Sequence, residues 1–257
     1  NDDYIESEWW ALKKIWEKSL LYKGFKVVPY CPRCGTPLSA QEVAQGYKDV
    51  KERSAIVRFK VVDEDAYILA WTTTPWTLPS NVALCVNADE DYVKVKAADG
   101  YTYYMAEALL DTVLGKLKTE DAPAYEVLER FKGKALEYKE YEPLYEAAAK
   151  IAEKQKKKAF YVLCDEYVTL TDGTGVVHQA PAFGEDDARV GRKYDMPFVQ
   201  LVDAKGNMSE DAPFAGTFVK KADPLILDDL KSRGLLYDAP KFEHSYPHCW
   251  RCDTPLI

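Results

Sequence analysis

The cysteines constrain this chain more than any other feature. Six are present, and four of them form two knuckles, CPRC at 31 to 34 and CWRC at 249 to 252. The likeness extends outward, because CPRCGTPL and CWRCDTPL agree at Cys, Arg, Cys, Thr, Pro and Leu. In a reducing cytosol, two such knuckles suit four thiolates around one tetrahedral zinc better than they suit disulfides. The second pair follows the first only after about 215 residues, against the roughly 15 to 20 of a compact zinc ribbon. If Cys31, Cys34, Cys249 and Cys252 share one ion, the chain ends must meet. Everything between them is then an insertion that leaves and returns at one place. Three alternatives stand beside this reading: one pair is merely a turn with buried thiols, each pair holds its own metal, or His248 replaces a cysteine. Cys85 and Cys164 lie in the apolar runs VALCV and FYVLC and read as small core residues.

The material between the knuckles is rich enough in apolar residues, 47% of the 257-residue chain, to build a real core. Residues 4 to 22 repeat apolar side chains at helical spacing, with Gly24 as the expected stop. SAIVRFKV, AYILAWTTT, NVALCV, DYVKVKA and YTYYMA then read as short strands. Helical patterns return at AEALLDTVLGKL, at 143 to 158 and at DPLILDDLKSRGLL, and AFYVLCDEYVTL reads as a further strand. The expectation is an α+β fold dominated by a twisted or closed, barrel-like sheet with peripheral helices, carried on a base formed by both termini. Residues 1–48 and 240–257 form that base, and 49–239 form the inserted body.

A formal charge of −8 excludes a surface that grips nucleic acid by bulk electrostatics, so any such contact must be local. KQKKK at 154 to 158 reads as a solvated surface. No run approaches the roughly 18 apolar residues of a membrane helix. NDDYIESEWW lacks the character of a secretory signal, and a cytoplasmic protein is expected.

Two stretches carry chemistry. WTTTPWTLPSN, 71 to 81, is a hydroxyl-rich strand that Pro75 must end or bulge, because proline has no N–H and biases Thr74 away from helix. A ligand cavity and an ordinary turn both fit it. In GTGVVHQAPAFGEDDAR, 173 to 189, two glycines permit a tight turn, VVH reads as a strand carrying His178 to its end, and EDDARVGRKY as a helix with an acidic first turn. The helix dipole is expected to keep Asp186 or Asp187 ionised. A carboxylate beside a histidine suits an amino group, and a helix cap at Glu185 or Asp186 with a satisfied histidine fits equally. The GxSxG, HExxH and phosphate-loop patterns are absent. Attack by a positioned water suits such a set better than a covalent intermediate, and no redox or nucleotide cofactor is expected.

WTTTPWTLPSN with GTGVVHQAPAFGEDD, framed by YCPRCGTPLS and HSYPHCWRCDTPLI, closely resembles the isoleucyl-tRNA synthetases, at their connective-peptide editing domain. Valyl and leucyl relatives typically carry a TTRP pattern at the first motif, whereas Thr74, Pro75 and Trp76 follow the isoleucyl one. The resemblance implies hydrolysis of valine esterified to isoleucine tRNA, and of valyl-adenylate too. It implies that Asp187 binds the substrate's α-ammonium group, and that Thr72, Thr73 and Thr74 position the ester and its water. It further implies that His178 limits side-chain size, while Trp76 and Asn81 contact the terminal adenosine. The partners implied are the tRNA 3′ end and the rest of a parent synthetase, with the chain acting as a monomer. HIGH and KMSKS motifs are absent, so no ligase activity is expected. Two alternatives are a noncatalytic, zinc-stapled module that docks the tRNA acceptor end, and an editing domain of the valyl or leucyl enzymes.

Overall fold

The computed structural model describes residues 1–24 and 26–257. The chain opens with α1 (Asp2–Glu17), capped by the Asn1 side chain, and none of its residues is buried. A helix running to Tyr22 and stopped by Gly24 is not observed. Ser19 instead turns left-handed (φ 56°), and the N–H groups of Ser19 and Leu20 close onto the carbonyls of Trp16 and Ile15 at 2.8 and 3.2 Å. That closure satisfies the helix end with serine where glycine is usual. The first knuckle is the hairpin of β1 (Tyr30–Cys31) and β2 (Thr36–Pro37), followed by α2 (Ala40–Ala44) with a Ser39/Glu42 capping box.

The body then runs β3 (Tyr47–Arg53), β4 (Ala55–Lys60), β5 (Tyr67–Thr72), β6 (Ala83–Val86), β7 (Asp91–Ala97) and β8 (Thr102–Ala106). Next come α3 (Leu110–Leu114), β9 (Tyr125–Lys132), α4 (Glu146–Gln155), β10 (Tyr161–Cys164) and β11 (Val177–Gln179). α5 (Glu185–Lys193), α6 (Val219–Ser232), β12 (Leu236–Asp238) and β13 (Lys241–Pro247) complete it. Two expected elements shift. The strand expected over 159–170 ends at Cys164, where Asp165 turns aside to form a two-bond ion pair with Arg189 (2.8 and 3.0 Å). The last helix begins earlier, at Val219, and stops at Ser232, leaving Leu236 to start β12.

β5 is where the sheet branches. β4 lies antiparallel along one edge, while on the other β8 pairs parallel at Tyr67 and Ile68 and β11 pairs at Trp71. Two arms result, β8–β7–β9 and β11–β6–β10. The sheet curls into a half-barrel, and residues 138–142 span its open side. There the Tyr138 N–H donates to the Val162 carbonyl of β10 and the Glu142 N–H to that of Lys60 at the end of β4, each at 2.8 Å. The core, on both faces of the sheet, holds Phe59, Ile68, Leu69, Leu84 and Tyr141, with Cys85 and Cys164 buried among them as expected. Truncating such a residue, Leu69 to alanine for instance, costs about 2–5 kcal/mol.

β3 and β13 form a separate two-stranded antiparallel ribbon, in register from Tyr47↔Pro247 to Arg53↔Lys241. It joins the body to the cysteine base, so the chain leaves the base and returns to it on adjacent strands. Among the described residues no helix is long and apolar enough to cross a membrane.

Candidate active site at the threonine turn

β5 ends because its ladder runs out of donors. The Thr74 N–H is taken by Thr72 Oγ1 at 3.1 Å, and Pro75 has none. Pro75 then opens a 3₁₀ turn, Pro75–Ser80, with its ring at a first-turn position that needs no donor. Three residues per turn bring Thr77 over Thr74. The outcome is a run of hydroxyls: Thr72 Oγ1 to Thr74 Oγ1 at 3.4 Å, Thr74 Oγ1 to Thr77 Oγ1 at 3.3 Å, and Thr77 Oγ1 to His178 Nε2 at 2.9 Å. Thr73 is the exception, with no hydrogen bond to its hydroxyl among the described residues.

His178 arrives on β11, in the middle of that short strand rather than at its end. The turn before it works as expected, with Gly173 and Gly175 left-handed at φ 74° and 71°. A Cβ on Gly173 would lie 2.7 Å from the Trp71 ring, so this glycine lets β11 settle against β5. Burial pulls His178 down to about 4, leaving a neutral imidazole at physiological pH.

Asp187 lies in the first turn of α5 and points back toward β11. Its Oδ2 accepts from the Ala180 N–H at 2.9 Å and its Oδ1 from Gln179 Nε2 at 3.2 Å. Gln179 is in turn held by Tyr167. The carboxyl folds so closely over Gly184 that a Cβ there would lie 2.8 Å from Asp187 Cγ. The helix start is not what sets the ionisation of this carboxylate. Burial outweighs the backbone N–H and the side-chain donors and raises Asp187 to about 6. It remains largely ionised at pH 7 and is poised to gain from a cation. Asp186 takes the other course, outward to Arg189 at 3.1 Å, and the helix cap is Gly184 rather than a carboxylate.

Thr72, Thr73, Thr74, Thr77, His178 and Asp187 line one pocket of about 270 Å³. A larger cleft of about 600 Å³ between residues 26–30 and α5 has none of these groups. Trp76 and Asn81 are not brought to the pocket. Trp76 is 3% exposed, packs edge-on against Phe183 at 5.0 Å and donates its backbone N–H to Asp223 at 2.8 Å. Asn81 is 2% exposed, with Nδ2 donating to the Ala83 carbonyl at 2.8 Å and Oδ1 accepting from the Tyr141 hydroxyl at 2.7 Å. Both serve the walls behind the site. Thr77 and Gln179 went unrecognised in the sequence, although the spacing of three from Thr74, just after a proline, is the signal for Thr77.

At the base, Sγ atoms of Cys31 and Cys252 stand 3.5 Å apart, those of Cys34 and Cys252 3.5 Å, and those of Cys34 and Cys249 3.9 Å. All four lie within 4.8 Å of one another. Bonds of about 2.3 Å to one tetrahedral ion require sulfur separations of roughly 3.8 Å, so the four cysteines fit a shared metal. His248 is outside the cluster, its Nδ1 lying 3.0 Å from the Tyr246 carbonyl.

The family model for tRNA synthetases class I (I, L, M and V) matches residues 1–245. The isoleucine–tRNA ligase of Clostridium acetobutylicum is 57% identical over 259 residues, covering 100% of this chain and 24% of that protein. The ligase of Thermus thermophilus is 47% identical, covering 99% of this chain and 23% of that protein. The chain thus spans about a quarter of the length of these curated relatives. Among solved structures, GlLeuRS-CP1 superposes with a TM-score of 0.57 at 16% identity, covering 74% of this chain and 99% of that one. The Plasmodium knowlesi cytosolic leucyl-tRNA synthetase editing domain superposes with a TM-score of 0.54 at 14% identity, covering 76% and 98%. At such identities the shared property is the fold. By sequence match over most of its length, the chain belongs to the class I tRNA synthetase family (I, L, M and V).

Proposed function

We propose that the chain is an editing hydrolase, which cleaves valine from the 3′-terminal adenosine of isoleucine tRNA by attack of a positioned water. The observation that carries this reading is the convergence of Asp187, neutral His178 and the threonine hydroxyls on one small pocket. The α-ammonium of an aminoacyl ester pairs with Asp187 and restores its carboxyl to full ionisation. The ester carbonyl then faces the threonine turn, where the unengaged Thr73 hydroxyl can hold it or the attacking water. Water adds to the carbonyl carbon, the bond to the ribose oxygen breaks, and the proton lost by water ends on that oxygen. No side chain is assigned as general base, because the ammonium takes Asp187 and neither His178 nitrogen is open to water, Nε2 being held by Thr77 and Nδ1 fully buried.

The need for such a site is physical. One methylene in an apolar pocket is worth only about 1–3 kcal/mol, a value for which selection of isoleucine over valine is itself the standard illustration. A second pocket that admits valine and excludes isoleucine by size supplies the missing discrimination. We assign zinc to the four cysteines, as a structural clamp, and place the ends of the insertion near 48/49 and 239/240, within and beside the ribbon. The partners are the acylated tRNA end and the remainder of a longer synthetase, with the chain monomeric and cytoplasmic.

The test is deacylation of valyl-tRNA and isoleucyl-tRNA, both charged on isoleucine tRNA, by the purified chain at high enzyme concentration. Faster release of valine supports the reading. Binding of the acceptor end with no acceleration of either hydrolysis means a docking module instead.

A further inference from the structure

We propose that Thr77 is a positioning residue: it locks His178 as the neutral tautomer protonated at Nε2 and thereby fixes the depth of the pocket. The inference rests on the editing reading for its functional half and on geometry alone for its structural half. Thr77 Oγ1 has one proton and three close neighbours: the Thr74 carbonyl at 2.8 Å, His178 Nε2 at 2.9 Å and Thr74 Oγ1 at 3.3 Å. The hydroxyl proton can go to the Thr74 carbonyl or to His178 Nε2, and that carbonyl already accepts the Thr77 N–H at 3.0 Å, so the hydroxyl alone does not decide the tautomer. The other ring nitrogen decides it. Among the described residues Nδ1 is buried with no partner, so a proton there would strand an N–H without an acceptor, whereas a proton on Nε2 is donated to the Thr77 hydroxyl, which passes its own to the Thr74 carbonyl.

Thr77 thus ends a directional relay, from His178 through its hydroxyl to the Thr74 carbonyl. The same bond holds the imidazole against the turn that carries the threonine row. His178 is 6% exposed and cannot find a replacement partner in water without moving. Its ring is then a wall at a set distance from Asp187, the residue that anchors the other end of the amino acid. Wall and anchor together measure the side chain between them.

The chain has three histidines, so the imidazole nitrogens can be followed individually by 15N NMR, with His178→Asn to assign the signal. Wild type is expected to show His178 protonated at Nε2 alone between pH 5 and 8. Thr77→Val, close in shape but lacking the hydroxyl, is expected to show mixed tautomers. Its preference for valyl over isoleucyl ester should fall by about tenfold, the scale of one methylene, chiefly through faster isoleucyl hydrolysis. Thr77→Ser should restore both signals. A Thr77→Val protein that keeps the wild-type nitrogen shifts, or loses them with discrimination unchanged, overturns the proposal. Hydrolysis of neither ester by wild type defeats the editing reading, while the shift comparison still decides whether Thr77 sets the tautomer.

Discussion

Replacing Asp187 with asparagine separates what this residue does for the fold from what it does for the reaction. Holding the carboxyl at about 6 rather than 3.8 means that ionising it in place costs about 3 kcal/mol more than in water. An arriving ammonium offsets that cost, so Asp187→Asn should lower kcat/KM for the valyl ester by about 100-fold, near 2.7 kcal/mol. Stability should move the other way. A carboxyl whose folded value lies above its unfolded one favours the fold most when protonated; that contribution is complete below about 3.8 and is lost as pH rises through 6. The asparagine protein should therefore be more stable than wild type at pH 7.5, by about 1–3 kcal/mol, and match it near pH 4. The neighbours permit the change. The introduced amide oxygen can still accept from the Ala180 N–H, and Gln179, whose Oε1 has no partner among the described residues, can turn over to accept from the new amide nitrogen. Single-turnover deacylation at pH 7.5, paired with thermal melts at both pH values, reads both effects. A kcat/KM within threefold of wild type refutes the anchor, and a lost activity that tracks a lowered melting temperature refutes the electrostatic argument.

Valyl-ester hydrolysis at low substrate should fall tenfold per pH unit below about 6 as Asp187 protonates, with no second inflection from His178 between pH 5 and 8, since that ring titrates near 4; an inflection near 6.5 in the Asp187→Asn protein contradicts this. Gly184→Ala should cost most of the activity and little of the fold, because the backbone there (φ −127°) suits any residue and the three atoms nearest an added Cβ all belong to the Asp187 side chain. Circular dichroism and deacylation on one preparation check it. One zinc per chain is expected by metal analysis, and a chelator should strip hydrogen-exchange protection from 30–38 and 246–256 while β4 to β8 keep theirs. Uniform loss, or an undamaged protein without metal, removes the clamp.

The parts of the fold legible in the sequence are those where burial writes a pattern. β4 opens on an apolar run buried on both faces and then alternates, and β7 alternates from Val93 onward, so both are readable at nearly their observed limits. β3 and β9, YKDVKER and YEVLERFK, carry charges on both faces and are held by their partner strands, so neither has an apolar signature. The end of α1 escapes a reading of composition because Ser19 takes a conformation that composition assigns to Gly24. At the site, residue identities point to the right neighbourhood, yet they do not tell which side of a 3₁₀ turn each residue faces. Thr77 faces the pocket, whereas Trp76 and Asn81 face away from it. Nor does spacing reveal that Asp187 is buried deeply enough for desolvation to outweigh the helix start.

The ribbon of β3 and β13 has a consequence for how such a protein can change over generations. Its two strands are in register at every rung, so cutting both at one rung leaves four ends in two adjacent pairs, about 4.8 Å apart. A body whose first and last strands leave as an antiparallel pair meets what the ribbon asks of it. The base asks for more at one further place, where Pro32 lies so close to Gly206 that a Cβ there would stand 2.9 Å from its ring.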